Sequence, residues 1–157
     1  MIRLMMVLLA LPAASLAQDT PARGDILSCV AAMETDADWA VCRTRMFAGC
    51  ADHPAGSSPH VACLTDDRAG WQEVLDGTTT DVTGILTAEG ATELAQLLTQ
   101  WFGYVGQKCA AVGASRAEIS EEAAILGCEI SEIVGLTAEL QSCRAGSSTS
   151  PYCIRKE

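Results

Sequence analysis

The chain has 157 residues, 49% of them hydrophobic, 19% charged and 4% aromatic, enough for one domain with its own core. Lys and Arg number 10 against 20 Asp and Glu, and a formal net charge of −10 argues against nucleic acid and anionic membrane surfaces as partners. The 8 cysteines include no Cys-x-x-Cys pair, so they point to disulfides and an oxidising compartment rather than to thiol redox chemistry.

Residues 1–17, MIRLMMVLLALPAASLA, have the layout of a secretory signal peptide. Arg3 is the basic start, Leu4 to Leu11 the apolar stretch, and Ser15-Leu16-Ala17 supplies small residues at the −3 and −1 positions. The stretch ends at Pro12, too soon to span a bilayer. Cleavage is expected before Gln18, with no cysteine there to carry a lipid. A single domain, 18–157, is then expected in the periplasm or outside the cell, with no further membrane span.

Five helices are expected in that domain. After a polar lead-in (18–24), Asp25 to Met33 is a short apolar helix carrying Cys29. Thr35 and Asp36 can cap a second, from Ala37 to about Gly49, with Trp39, Cys42, Met46 and Phe47. His53-Pro54-Ala55-Gly56-Ser57-Ser58 reads as a loop. Ser58 is placed to cap a third helix with Pro59 at its first position. Its stripe is Trp71, Val74, Leu75, Thr78, Val82 and Ile85, with a break expected near Gly77, the Thr78–Thr80 run or Gly84.

A fourth helix starts at Thr87 or Ala88 and runs to about Ala111, where Gly113 ends it. Leu94, Leu97, Leu98, Trp101, Val105, Cys109 and Val112 share one face. Ser115 with Glu118 has the spacing of a capping box for a fifth helix ending near Cys143. Its apolar face is Ile119, Ala123, Leu126, Ile130, Ile133, Thr137 and Leu140. Glu118, Glu121, Glu122, Glu129, Glu132 and Glu139 form a solvated acidic stripe. The Ser/Gly-rich tail, 144–157, is irregular. No strand-like alternation occurs, so the fold class is all-α: an antiparallel helical bundle stapled by disulfides.

The cysteine positions suggest the staples. Cys29 and Cys42 are equidistant from the turn at Thr35–Asp36, and Cys50 and Cys63 flank the loop around Gly56 in the same way. Cys143 and Cys153 would tie the tail to the last helix. Cys109 and Cys128 remain as the fourth pair, one that fits if residues 112–119 are partly unwound. A competing reading takes Cys50, His53, His60 and Cys63 as a mirrored Cys-x2-His and His-x2-Cys cluster able to hold tetrahedral zinc. The oxidising compartment favours the disulfide.

Catalytic constellations are absent from the sequence. The two histidines share one loop, no nucleophile elbow or phosphate loop occurs, and Asp66-Asp67 and Glu121-Glu122 read as solvated helix faces. A protein without enzymatic activity or cofactor is expected.

Three stretches resemble the LprI-like lysozyme inhibitor domain, a small helical domain of secreted bacterial proteins. One is the series Cys29, Cys42, Cys50, Cys63 with Trp71 and Leu75 in CLTDDRAGWQEVL. The second is LAQLLTQWFGYVGQKC, with Gln96 or Gln100, Trp101, Tyr104 and Cys109. The third is AAILGCEISEIVGLTAEL, with Cys128. Val105-Gly106 stands where the family usually has Arg-Asp, and an arginine usual after the last family cysteine is absent, with Leu136 near its place. The resemblance implies a helical fold and binding of a cationic lysozyme-like protein, which an acidic chain would attract. On that reading Glu121, Glu129 and Glu132 of the acidic stripe are the candidate partner contacts.

Overall fold

In the computed structural model the described residues are 21–33, 36–146 and 153; the expected signal peptide, 1–17, lies outside them. They form an all-α fold of α1 (Pro21–Ala31), α2 (Asp36–Arg43), a 3-10 turn (Ala48–Cys50), α3 (Ser58–Ile85), α4 (Ala88–Ser115) and α5 (Glu121–Ala145).

α3, α4 and α5 run up, down and up, so successive helices are antiparallel and α3 and α5 come to lie parallel. α5 is the middle element, with α3 on one side and α4 on the other, and α1 covers the far side of α3. The parallel register is marked at three levels. Arg68 pairs with Glu129, the Gln141 amide donates to the Thr78 hydroxyl at 3.0 Å, and Arg144 pairs with Asp81 at 3.2 Å. Along this seam Leu64, Trp71, Val74, Leu75 and Val82 join Ile130, Ile133, Val134 and Leu140 in one buried cluster. Trp71 is fully buried, and Trp39 of α2 stands edge-on to it with ring centroids 5.6 Å apart.

The break expected in α3 does not occur. Two of its threonines are satisfied within the helix: Thr80 and Thr83 donate to carbonyls four residues earlier. Burial of Thr78 and Val82 against α5 outweighs the low helix propensity of the segment. Ile85, expected on the core stripe, is exposed, and Leu86 in the turn after it is buried instead.

Other boundaries shift for identifiable reasons. The second helix stops at Arg43, short of Gly49, because the chain must turn back to bring Cys50 to Cys63. The turn places Phe47 at φ 65°, in the left-handed region. The cap of α3 is Ser57, not Ser58; its hydroxyl accepts the N–H of His60 at 3.3 Å. The capping box of Ser115 and Glu118 does not form. Ser115 closes α4, and Ser120 caps α5 by accepting the N–H of Ala123 at 3.3 Å. Gly113 does not end α4. It packs closely against α5, where a Cβ would lie 2.6 Å from Cγ1 of Ile125. α5 continues through Ala145, so the tail begins beyond 144.

All four expected disulfides are formed: Cys29–Cys42, Cys50–Cys63, Cys109–Cys128 and Cys143–Cys153, with Cα separations of 5.6, 5.5, 5.5 and 5.0 Å. Cys109–Cys128 closes across a segment that is partly unwound: 112–115 continue α4, 116–120 lie outside the helices, and the two cysteines are nearly equidistant from that loop. Four staples fit an oxidising, extracytoplasmic setting. Among the described residues no helix is long and apolar enough to cross a membrane.

Candidate functional site

The end of the bundle at which α3 and α5 begin is assembled by two loops. Gly56, at φ 74°, brings residues 51–57 against the α4–α5 loop so closely that a Cβ there would lie 2.8 Å from the backbone nitrogen of Ser120. The Gly56 N–H donates to Nδ1 of His60 at 3.1 Å, which closes the loop onto the first turn of α3.

Beside this loop, α1, the 3-10 turn and α3 enclose a cavity of about 540 Å³. Its walls include Ile26, Ala48, Gly49, Pro59, Ala62 and Cys63. Its ionisable groups are Asp25, Arg45, His53, Asp66 and Asp67. Asp67 is the unusual member. It is 2% exposed, and its Oδ2 accepts the N–H of Phe47 at 3.0 Å. Burial pushes its carboxyl above the ordinary aspartate range, and the Phe47 hydrogen bond offsets this only in part.

Asp67 was legible as a core position but reads as solvated when paired with Asp66. It lies three residues after Leu64 and four before Trp71, the spacing of one buried helix face. Asp66, one residue back, is half-buried at the cavity edge, so the two carboxylates do not share one solvated face.

The acidic stripe of α5 divides. Glu121 and Glu122 are exposed in its first turn. Glu129 pairs with Arg68 and Glu132 with Lys108, the latter at 2.7 Å, and their side chains are only 21% and 26% exposed. The Glu132 carboxylate also holds the Lys108 ammonium above its usual range, through the hydrogen bond first. Glu129 and Glu132 therefore tie α5 to its neighbours and do not form a free stripe with Glu121.

The zinc reading of Cys50, His53, His60 and Cys63 is also set aside. Cys50 and Cys63 are joined to each other, and His60 already accepts the Gly56 N–H. Among the described residues no group of three or more His, Cys, Asp or Glu side chains is arranged to hold a metal ion.

Asp25, Asp52, Asp66, Glu118, Glu121 and Glu122 at the loop end take part in no ion pair among the described residues, and neither do Asp76, Glu89 and Glu93 elsewhere on the bundle; Glu73, Asp81, Glu129 and Glu132 are each matched by a base. The loop end thus combines exposed acids with the cavity. Comparison with family models, curated proteins and solved structures finds no match to this chain.

Proposed function

We propose that this chain is an exported, non-enzymatic binding protein that captures and inhibits a cationic, lysozyme-like hydrolase with the loop end of its bundle. The signal-like residues 1–17 and the four disulfides support export to the periplasm or beyond. The observation that carries the binding reading is the acidic loop end. Asp25, Asp66 and Asp67 line its cavity with no ion pair among the described residues, and Asp52, Glu118, Glu121 and Glu122 are exposed at the same end.

The physics favours a basic protein as the partner. A net-negative patch raises the association rate of a positively charged body, and salt screens that effect over ~8 Å at physiological strength. The resemblance of the cysteine and tryptophan pattern to lysozyme inhibitors selects lysozyme as the first partner to test.

The test measures lysozyme association with the immobilised oxidised protein at low and high salt, together with bacterial lysis in solution. Tight, salt-sensitive binding with loss of lysis is expected. Absence of binding at low salt would end this reading, and binding without loss of lysis would reduce it to a non-inhibitory envelope contact.

A further inference from the structure

We propose that the cavity between α1, the 3-10 turn and α3 is a receptor for one cationic side chain, lysine or arginine, presented by the bound partner. This rests on the binding reading above and supplies the chemistry of its central contact.

The first support is the match between lining and ligand. Lysine and arginine carry a charged head on an apolar stem, and they bury the stem along apolar surface. The cavity has apolar walls from Ile26, Ala48, Pro59 and Ala62 for the stem, and carboxylates at Asp25, Asp66 and Asp67 for the head. At about 540 Å³ it has room for the side chain and for bridging waters.

The second support is the state of Asp67. A carboxylate buried this deeply is ordinarily matched by a cation, because an uncompensated buried charge weakens the fold. Asp67 has one backbone amide and no ion pair among the described residues, although Arg68 beside it pairs with Glu129. An incoming ammonium or guanidinium would supply the missing charge where water screens it least.

The other basic groups do not fill that role. Arg45 and His53 both line the cavity but are exposed, and neither forms an ion pair there. With three carboxylates against one arginine, the lining remains net negative when His53 is neutral. The carboxylates are not arranged as a metal site, so an elongated organic cation fits better than a metal ion.

The test titrates the oxidised protein with Nα-acetyl-lysine methylamide, its arginine counterpart and the neutral norleucine counterpart, followed by amide NMR. The charged probes should shift Ala48, Ala62 and Asp67, and norleucine should not. Asp67→Asn keeps an acceptor for Phe47 and should weaken the charged probes about tenfold without lowering the melting temperature. Absence of shifts with both charged probes, or equal affinity for Asp67→Asn, overturns the proposal.

Lysozyme binding measured in parallel separates this inference from the reading beneath it. Lysozyme bound equally by wild type and Asp67→Asn, with no probe shift, removes the cavity and leaves the acidic surface. Probes that bind while lysozyme does not remove lysozyme as the partner and keep the cavity.

Discussion

The Asp67 carboxylate on α3 holds the backbone N–H of Phe47 at 3.0 Å, and Phe47 is the one non-glycine described residue with a left-handed backbone. A single buried side chain thus fixes the turn that returns the chain from α2 to the Cys50–Cys63 staple and shapes one wall of the cavity. The arrangement places a carboxyl where burial makes its charge costly.

That cost has a pH signature. Burial raises the Asp67 carboxyl above 3.8 in the folded chain, so the native state retains this proton to higher pH than the unfolded state. Its contribution to stability is therefore complete below the unfolded value and is lost as pH rises through the folded one. Asp67→Asn has no such loss. Its melting temperature should exceed that of wild type at pH 7, and the gap should close as pH falls towards 4. Asp67→Ala, which strands the Phe47 N–H, should be less stable than Asp67→Asn by ~1–3 kcal/mol.

The loop contact makes a second prediction. Gly56→Ala must hold a side chain at φ 74° with its Cβ 2.8 Å from the nitrogen of Ser120. It should lose ~1–3 kcal/mol in urea denaturation, because both the backbone and the contact resist it. Gly77→Ala, in the exposed face of α3 with nothing within 4 Å of the new Cβ, should gain ~0.5–1 kcal/mol. Similar results for the two variants would mean that the two loops do not meet as described.

The staples can be ranked by what they join. Cys109–Cys128 links α4 to α5 and closes 19 residues, and Cys143–Cys153 ties the tail and closes 10. Chain entropy alone assigns ~3 kcal/mol to each. α4 has little support besides α5, so removing Cys109–Cys128 as a double alanine variant should also loosen that helix. Hydrogen exchange along residues 88–115 should accelerate in that variant and stay unchanged when Cys143–Cys153 is removed.

Where the structure agrees with the sequence, the signal was periodic or symmetric. The stripe of Trp71, Val74, Leu75 and Val82 marked α3, and Cys29–Cys42 and Cys50–Cys63 lie level across their turns, a relation visible in residue numbers alone; Cys109–Cys128 follows as the remaining pair. Where the two diverge, the deciding contact comes from another helix. Gly113 reads as a stop until Ile125 is packed against it. Phe47 reads as helical until Asp67 captures its amide. Glu129 and Glu132 read as solvated because a single helix wheel contains neither Arg68 nor Lys108. The candidate site suffered most from this, since its lining is drawn from α1, the 3-10 turn, the loop and α3.

The divided acidic stripe makes the last prediction. Glu129→Lys would face Arg68, and Glu132→Lys would face Lys108, so each replaces an interhelical ion pair with a like-charge contact. Partly exposed pairs of this kind contribute up to ~1 kcal/mol, and reversal should lower stability by about that much or somewhat more. Glu118→Lys, Glu121→Lys and Glu122→Lys break no ion pair among the described residues, and all three positions are exposed at the loop end. Combined, they should leave the melting temperature within a few degrees of wild type, allowing for the loss of acids from the first turn of α5. Their effect should fall on the partner: association with lysozyme at low salt should slow about tenfold, and the difference should shrink as salt is added. Glu129→Lys and Glu132→Lys, compared at a temperature where both are folded, should slow association less than the triple variant. If instead the interhelical glutamates dominate the association rate and the loop-end glutamates do not, the docking face lies along the bundle rather than at its end.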